Sequence, residues 1–155
     1  MTYKRRVLSP GEIESYQLAE ESLLGAILIN ASDDDNRDNI NAIAFIVKPA
    51  DFRGFNSQYP VNEWQCQNGR IYSAMLSCKG SPNIVNVATE LVNRKLIKQG
   101  DVAHLSHCTA ICPMSLDWND YAVSVRYFAQ LMKSLSEGGD LPKNLIITGG
   151  VDVEL

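Results

Sequence analysis

Four residues near the C-terminal third have the types that hold a metal: His104, His107, Cys108 and Cys112. On a helix, positions 104, 108 and 112 fall on one face, one turn apart. Neutral imidazole and thiolate are zinc ligands, and four of them would close a tetrahedral site. A small metal-binding regulatory protein is therefore the alternative function. Against it, ligands eight residues apart on one rigid helix are separated by about 12 Å at 1.5 Å rise per residue, and structural sites normally draw on two elements. Free cysteine is also among the most buried residue types without any metal. The expectation is core cysteines, a half-exposed His104, and neither metal nor cofactor. Asp33-Asp34-Asp35 invites a calcium reading, but the loop needs acceptors at its first, third and fifth positions and then a glycine. Asp33 and Asp35 fit, Arg37 does not, and no glycine follows. A solvated acidic loop is expected there. Lys4-Arg5-Arg6 is read in the same way, as a solvated arm.

The motifs of several enzyme classes are missing. There is no G-x-x-x-x-G-K-[ST] phosphate loop, since Gly149-Gly150 runs into Val-Asp-Val, and no G-x-S-x-G or H-E-x-x-H. These absences argue against nucleotide hydrolysis, serine hydrolysis and zinc peptidase activity, and no catalytic residue is assigned. The 155 residues suit one domain. Hydrophobic residues at 45% and charged residues at 21% read as globular. Fourteen Lys and Arg against eighteen Asp and Glu leave a formal charge of −4. That disfavours strong non-specific binding to nucleic acid, which needs cations to neutralise phosphates. No run of about 18 apolar residues suggests a membrane span, and no apolar stretch follows the basic start as in a secretion signal. A cytoplasmic protein with free thiols is expected.

The elements that must position these residues are helical. Residues 1–12 read as a flexible arm. A helix follows from about Ile13 to Ile29, with Leu18, Ala19, Leu23, Ala26, Ile27 and Ile29 as apolar positions and Glu14, Gln17, Glu20 and Glu21 as polar cover. Asp33 to Asn36 can cap a second helix through Ile40, Ile43, Ala44 and Val47. Pro49 to Phe52 suggests a helical turn, and residues 54–65 a loop. A third helix is expected over about Asn68–Lys79. A fourth is capped by Asn86, buries Val87, Ala88, Leu91, Val92 and Leu96, and ends at Gly100. A fifth covers about Val102–Ile111, and the last about Leu116–Ser136. The spacing thus predicts an all-α compact bundle of about six helices over 13–136. A tail at 137–155 carries a candidate β-hairpin around Gly149-Gly150.

The last helix is the most apolar in pattern. Trp118, Ala122, Val125, Ala129 and Met132 recur at 4-3-4-3 spacing, and Tyr121, Phe128, Leu131 and Leu135 form a neighbouring stripe. One core needs an apolar face of somewhat over 100°, and this helix exceeds it. Either it is sandwiched inside the domain or its outer stripe meets another chain. Trp118, Tyr121, Val125, Phe128 and Met132 are the candidate partner-binding residues.

Five segments then resemble one family in order. Leu18-Ala19-Glu20-Glu21-Ser22-Leu23-Leu24-Gly25-Ala26-Ile27-Leu28 resembles the opening of the N-terminal domain of DnaB-type replicative helicases. Pro49-Ala50-Asp51-Phe52, Asn68-Gly69-Arg70-Ile71-Tyr72-Ser73-Ala74-Met75 and Ser81-Pro82-Asn83-Ile84-Val85-Asn86-Val87 are similar to its following motifs. His104-Leu105, Pro113 and Tyr121-Ala122-Val123-Ser124-Val125 resemble its ending. Asn83 and Asn86 stand where the family has aspartate and threonine. Gly138-Gly139, Pro142 and a β-like tail replace the family's second long hairpin helix, and no RecA-like motor is present in these residues. The resemblance implies a small helical collar-type domain that binds no nucleotide, oligomerises, and contacts primase or a helicase loader. The function expected from it is a non-catalytic protein-interaction module of DNA replication. It would be an isolated helicase domain or a stand-alone adaptor or inhibitor of the replicative helicase, with nucleic acid involved only indirectly.

Overall fold

The computed structural model describes residues 7–52 and 66–137. Residues 1–6 of the expected arm, the expected loop at 54–65 and the hairpin tail beyond Glu137 lie outside them. Among the described residues the chain forms six α-helices, two 3₁₀ turns and no strand. The expected all-α bundle of about six helices is therefore what forms.

Helix α1 spans Pro10–Ile29 and begins earlier than its apolar periodicity. Ser9-Pro10-Gly11-Glu12 is a capping box. The Glu12 amide donates to Ser9 Oγ at 3.2 Å, and the Ser9 amide donates to Glu12 Oε1 at 2.9 Å. Pro10 fits the first helical position because its missing N–H would have no partner there. Leu8 is already buried, so the arm expected over 1–12 does not extend that far.

The sides of α1 also differ from expectation. Glu20 and Glu21, expected as polar cover, are buried, whereas Leu18 and Ile29, expected in the core, are exposed. Every residue from Ala19 to Leu28 is buried. The reason is position: α1 packs against α5 (Asp101–Ile111), α6 (Trp118–Glu137), α3 (Gln67–Ser77) and the second 3₁₀ turn (Ser115–Asp117). A helix enclosed on all sides shows no single apolar stripe.

The remaining helices pack on its neighbours, α2 (Asn36–Ile46) on α6 and α4 (Ile84–Asn93) on α3 and α5. Helix α2 (Asn36–Ile46) buries Ile40 and Ile43. Asp35 holds its N-cap position without a side-chain hydrogen bond; the turn is secured instead by Asn36 Nδ2, which donates to the Asn30 carbonyl at 2.9 Å. The first 3₁₀ turn (Pro49–Asp51) delivers Phe52 into the core, where its ring stacks on Tyr72 of α3 at 4.6 Å. Tyr72 Oη donates to the Val47 carbonyl at 2.9 Å. Burying one large apolar side chain such as Phe52 stabilises the fold by roughly 1.5–3 kcal/mol.

Helix α4 (Ile84–Asn93) is capped by Asn83 rather than Asn86. Asn83 Oδ1 accepts from the Asn86 amide at 2.8 Å, so Asn86 is the recipient of the cap. Val87 and Leu91 face the core, while Val92 is exposed. The helix ends in a Schellman motif: the Lys95 amide donates to the Val92 carbonyl and the Leu96 amide to the Leu91 carbonyl, both at 2.9 Å. Lys95 occupies the left-handed position at φ +59°, where glycine is usual. Gly100 therefore does not end α4. With φ +89° it stands at the N-cap of α5.

Where α1 crosses α5 the two helices come very close. A Cβ placed on Gly25 would lie 2.1 Å from the Cys108 carbonyl oxygen and 2.8 Å from its carbon, both backbone atoms. Only glycine allows this approach. Gly25→Ala should lower unfolding stability by about 3 kcal/mol, read by urea denaturation. Lys95→Gly should raise it by about 0.5–1 kcal/mol by relieving the left-handed backbone. A wild-type midpoint in either variant would contradict the corresponding geometry.

Candidate functional site

The tight crossing brings ionisable residues together. Glu21 lies one turn before Gly25 and His104 one turn before Cys108, so packing at the glycine presses them against each other. His107 Nε2 sits 3.2 Å from Glu21 Oε1, and His104 Nε2 sits 3.6 Å from Glu21 Oε2. The two imidazoles stack at 5.7 Å between centroids. Gln17 Nε2 donates to Glu21 Oε2 at 3.2 Å, one turn along the same helix.

The network continues into α3. Asn68 Nδ2 donates to Glu20 Oε1 at 3.0 Å, so its Oδ1 is the acceptor facing His104 Nε2 at 2.6 Å. His104 must then carry its proton on Nε2. Next to this chain, Arg70 pairs with Asp101 at 2.9 Å, with both side chains almost completely buried. Asp101 Oδ1 also accepts from Gln67 Nε2 at 3.0 Å, and Oδ2 from the Lys98 amide at 2.8 Å. Burial costs an ion much of its hydration, so such groups persist only with partners of this kind. Burial is also the main cause that pushes the His104 imidazole below the ordinary histidine range, with Glu21 opposing it.

The four residues read as zinc ligands are not brought together as a set. His104 and His107 turn toward Asn68 and Glu21, and Cys108 is fully buried. Burial raises the Cys108 thiol far above its usual range, and the nearby Glu21 and Glu20 charges add to this. Burial raises the Cys112 thiol as well. Among the described residues, no group of three or more His, Cys, Asp or Glu is arranged to hold a metal ion. The half-exposed histidine is His107, 51% accessible, and not His104 at 14%. In the acidic loop, Asp33 and Asp34 line a polar cavity of about 400 Å³ that also contains Arg37 and Lys79. Their positive charges oppose a cation there.

The five candidate partner-binding residues of α6 divide. Trp118 and Val125 are buried in the chain's own core. Tyr121, Phe128 and Met132 are partly buried and pack against it. Phe128 stacks on Tyr16 of α1 at 5.5 Å. Tyr121 Oη accepts from the Met114 amide at 3.1 Å and donates to the Met114 carbonyl at 3.0 Å. Of the two arrangements open to this helix, its apolar side chains mainly follow the first and are held by its own domain.

Exposed apolar residues are found elsewhere. Phe45 on α2 is 89% accessible and Leu116 is 74%. Asn30 Nδ2 donates to the Ser115 carbonyl at 2.7 Å, pinning the second 3₁₀ turn to the end of α1. Ile29, Met114 and Leu116, the immediate neighbours of these two residues, are all exposed. Periodicity could have found Phe45, since Ile40, Ile43 and Val47 define the opposite face. The cluster at residues 29, 114 and 116 joins positions more than 80 residues apart, and no local pattern shows it.

Arg70→Met would leave the Asp101 carboxylate buried without its cation. It should lower stability by about 3–5 kcal/mol, measured by denaturant unfolding at neutral pH. A loss below 1 kcal/mol would mean that the pair is not structural. In comparisons with known proteins, no family model, no curated protein and no solved structure matches the chain.

Proposed function

We propose that this chain is a non-catalytic protein-interaction module of DNA replication, of the helicase-collar type, and that it docks through the apolar end formed by Ile29, Met114 and Leu116. The observation that carries the docking part is the exposure of Ile29, Met114 and Leu116, which flank the two residues joined by the Asn30–Ser115 hydrogen bond. Apolar residues scattered singly on a surface need no explanation, but exposed apolar residues brought to one end of the bundle by a long-range hydrogen bond are suited to a partner. Met114 is additionally fixed by both of its backbone bonds to Tyr121. Glu20, Glu21, Asp101, His104 and Cys108 are engaged or buried inside the bundle, which favours binding over bond chemistry.

The replication part rests on the resemblance to DnaB-type N-terminal domains, and the structure gives those motif residues coherent roles. Gly25 sets the α1–α5 approach, Phe52 stacks on Tyr72, and Arg70 holds Asp101. In this reading the chain forms homo-oligomers and binds a replicative helicase, primase or helicase loader. It works in the cytoplasm and meets nucleic acid only through its partners. Among the described residues, no helix is long and apolar enough to cross a membrane.

The paired variant Met114→Asp/Leu116→Asp should reduce self-association, or capture of purified helicase or primase, by tenfold or more while its thermal midpoint stays near wild type. Sedimentation velocity and pull-down against those purified partners read this. Wild-type association by the variant would remove this surface. No association of the wild type with itself or with any of the three partner classes would remove the reading as a whole. Phe128→Asp is a poor probe, because it would unstack Tyr16 and damage the fold.

A further inference from the structure

The seam between α1 and α5 places one buried carboxylate between two imidazoles, and we propose that it is a proton-operated latch: it stays closed while His104 is neutral, and a proton on His104 releases α5. This inference is independent of what the surface docks.

The argument is one of charge and burial. The Glu21 side chain is only 3% exposed and faces His107 from Oε1 and His104 from Oε2. One carboxylate can balance one imidazolium. On one side, Glu21 already faces the half-exposed His107 ring at 3.2 Å. A proton on His104 falls on a ring that is largely buried and already uses Nε2–H on Asn68. It would place a cation beside the stacked His107 ring and near the Arg70 guanidinium.

The other charged groups facing this point offer little relief. From α5, Asp101 is engaged by Arg70, Gln67 and the Lys98 amide. From α1, Glu20 is separated from His104 by the Asn68 amide, which hydrogen-bonds to both. Burial is the largest influence on His104 and lowers its proton affinity. An unfolded or opened histidine takes its proton near pH 6.5. The closed form therefore has its full stability above that pH and loses it as pH falls below, because the open form binds the proton more readily. Opening would separate the Gly25–Cys108 contact and turn α5 away from α1.

Hydrogen exchange by mass spectrometry at pH 7 and pH 5, corrected for intrinsic rates, tests this on the full chain. Wild-type amides in Asp101–Ile111 should lose protection by tenfold or more at pH 5, while those in Trp118–Glu137 change less than threefold. His104→Gln retains an amide donor for Asn68 but cannot titrate, so it should abolish the difference. Unchanged α5 protection in the wild type, an equal loss in α6, or an equal loss in a folded His104→Gln would each overturn the latch. Imidazole NMR of the wild type decides if that variant fails to fold. A His104 ring that stays neutral at pH 5.5 in the closed form supports the latch; a His104 that titrates near 6.5 with α5 still protected refutes it.

Discussion

The described core is organised by how closely α1 and α5 approach at Gly25. With no side chain there, the Cys108 carbonyl comes to a distance that any Cβ would forbid. That approach places Glu21 against His104 and His107 and brings Asn68 between His104 and Glu20. A wider crossing would leave these groups as a charged surface and would fill the gap with water. The polar layer depends on one missing methyl group.

A layer of buried carboxylates, imidazoles and a guanidinium is an unusual choice for a small bundle. Apolar residues of similar volume would often be as stable or more so. What such groups impose is register. Arg70 must meet Asp101, and Asn68 must present its amide to Glu20 and its carbonyl to His104. A helix shifted by one turn would leave several of these groups without partners, each at a cost of about 1–3 kcal/mol or more when charged. Specificity of helix pairing thus arises from the polar residues of this layer. At the other end of α1, the Asn30–Ser115 hydrogen bond ties the second 3₁₀ turn to the helix, with Ile29, Met114 and Leu116 exposed beside it.

Reading the chain in order recovers most of the helices. Pro, Gly and Asn act locally, through φ angles and short-range caps, so Pro49, Pro82 and Pro113 mark boundaries close to where they fall. The errors are also local in origin. Asn83 and Asn86 both suit an N-cap, and only the backbone turn after Pro82 selects the first. Gly100 suits a helix end, but Lys95 takes the left-handed position before it. Ser9 and Glu12 form a box that apolar periodicity overlooks, because it lies ahead of the apolar run.

By itself the sequence determined the helical class, the approximate segments, and the absence of several enzyme motifs, because those follow from residue type and spacing along one strand of chain. Tertiary structure alone decided which helix is central. The apolar pattern pointed to α6, whereas α1 is the helix enclosed over Ala19–Leu28. An all-round buried helix carries no periodic mark, and a buried glutamate reads in sequence like an exposed one. Whether Glu20 and Glu21 face water or Asn68 and two histidines is set by residues 48 to 86 positions away, and that distance is crossed only when the chain folds.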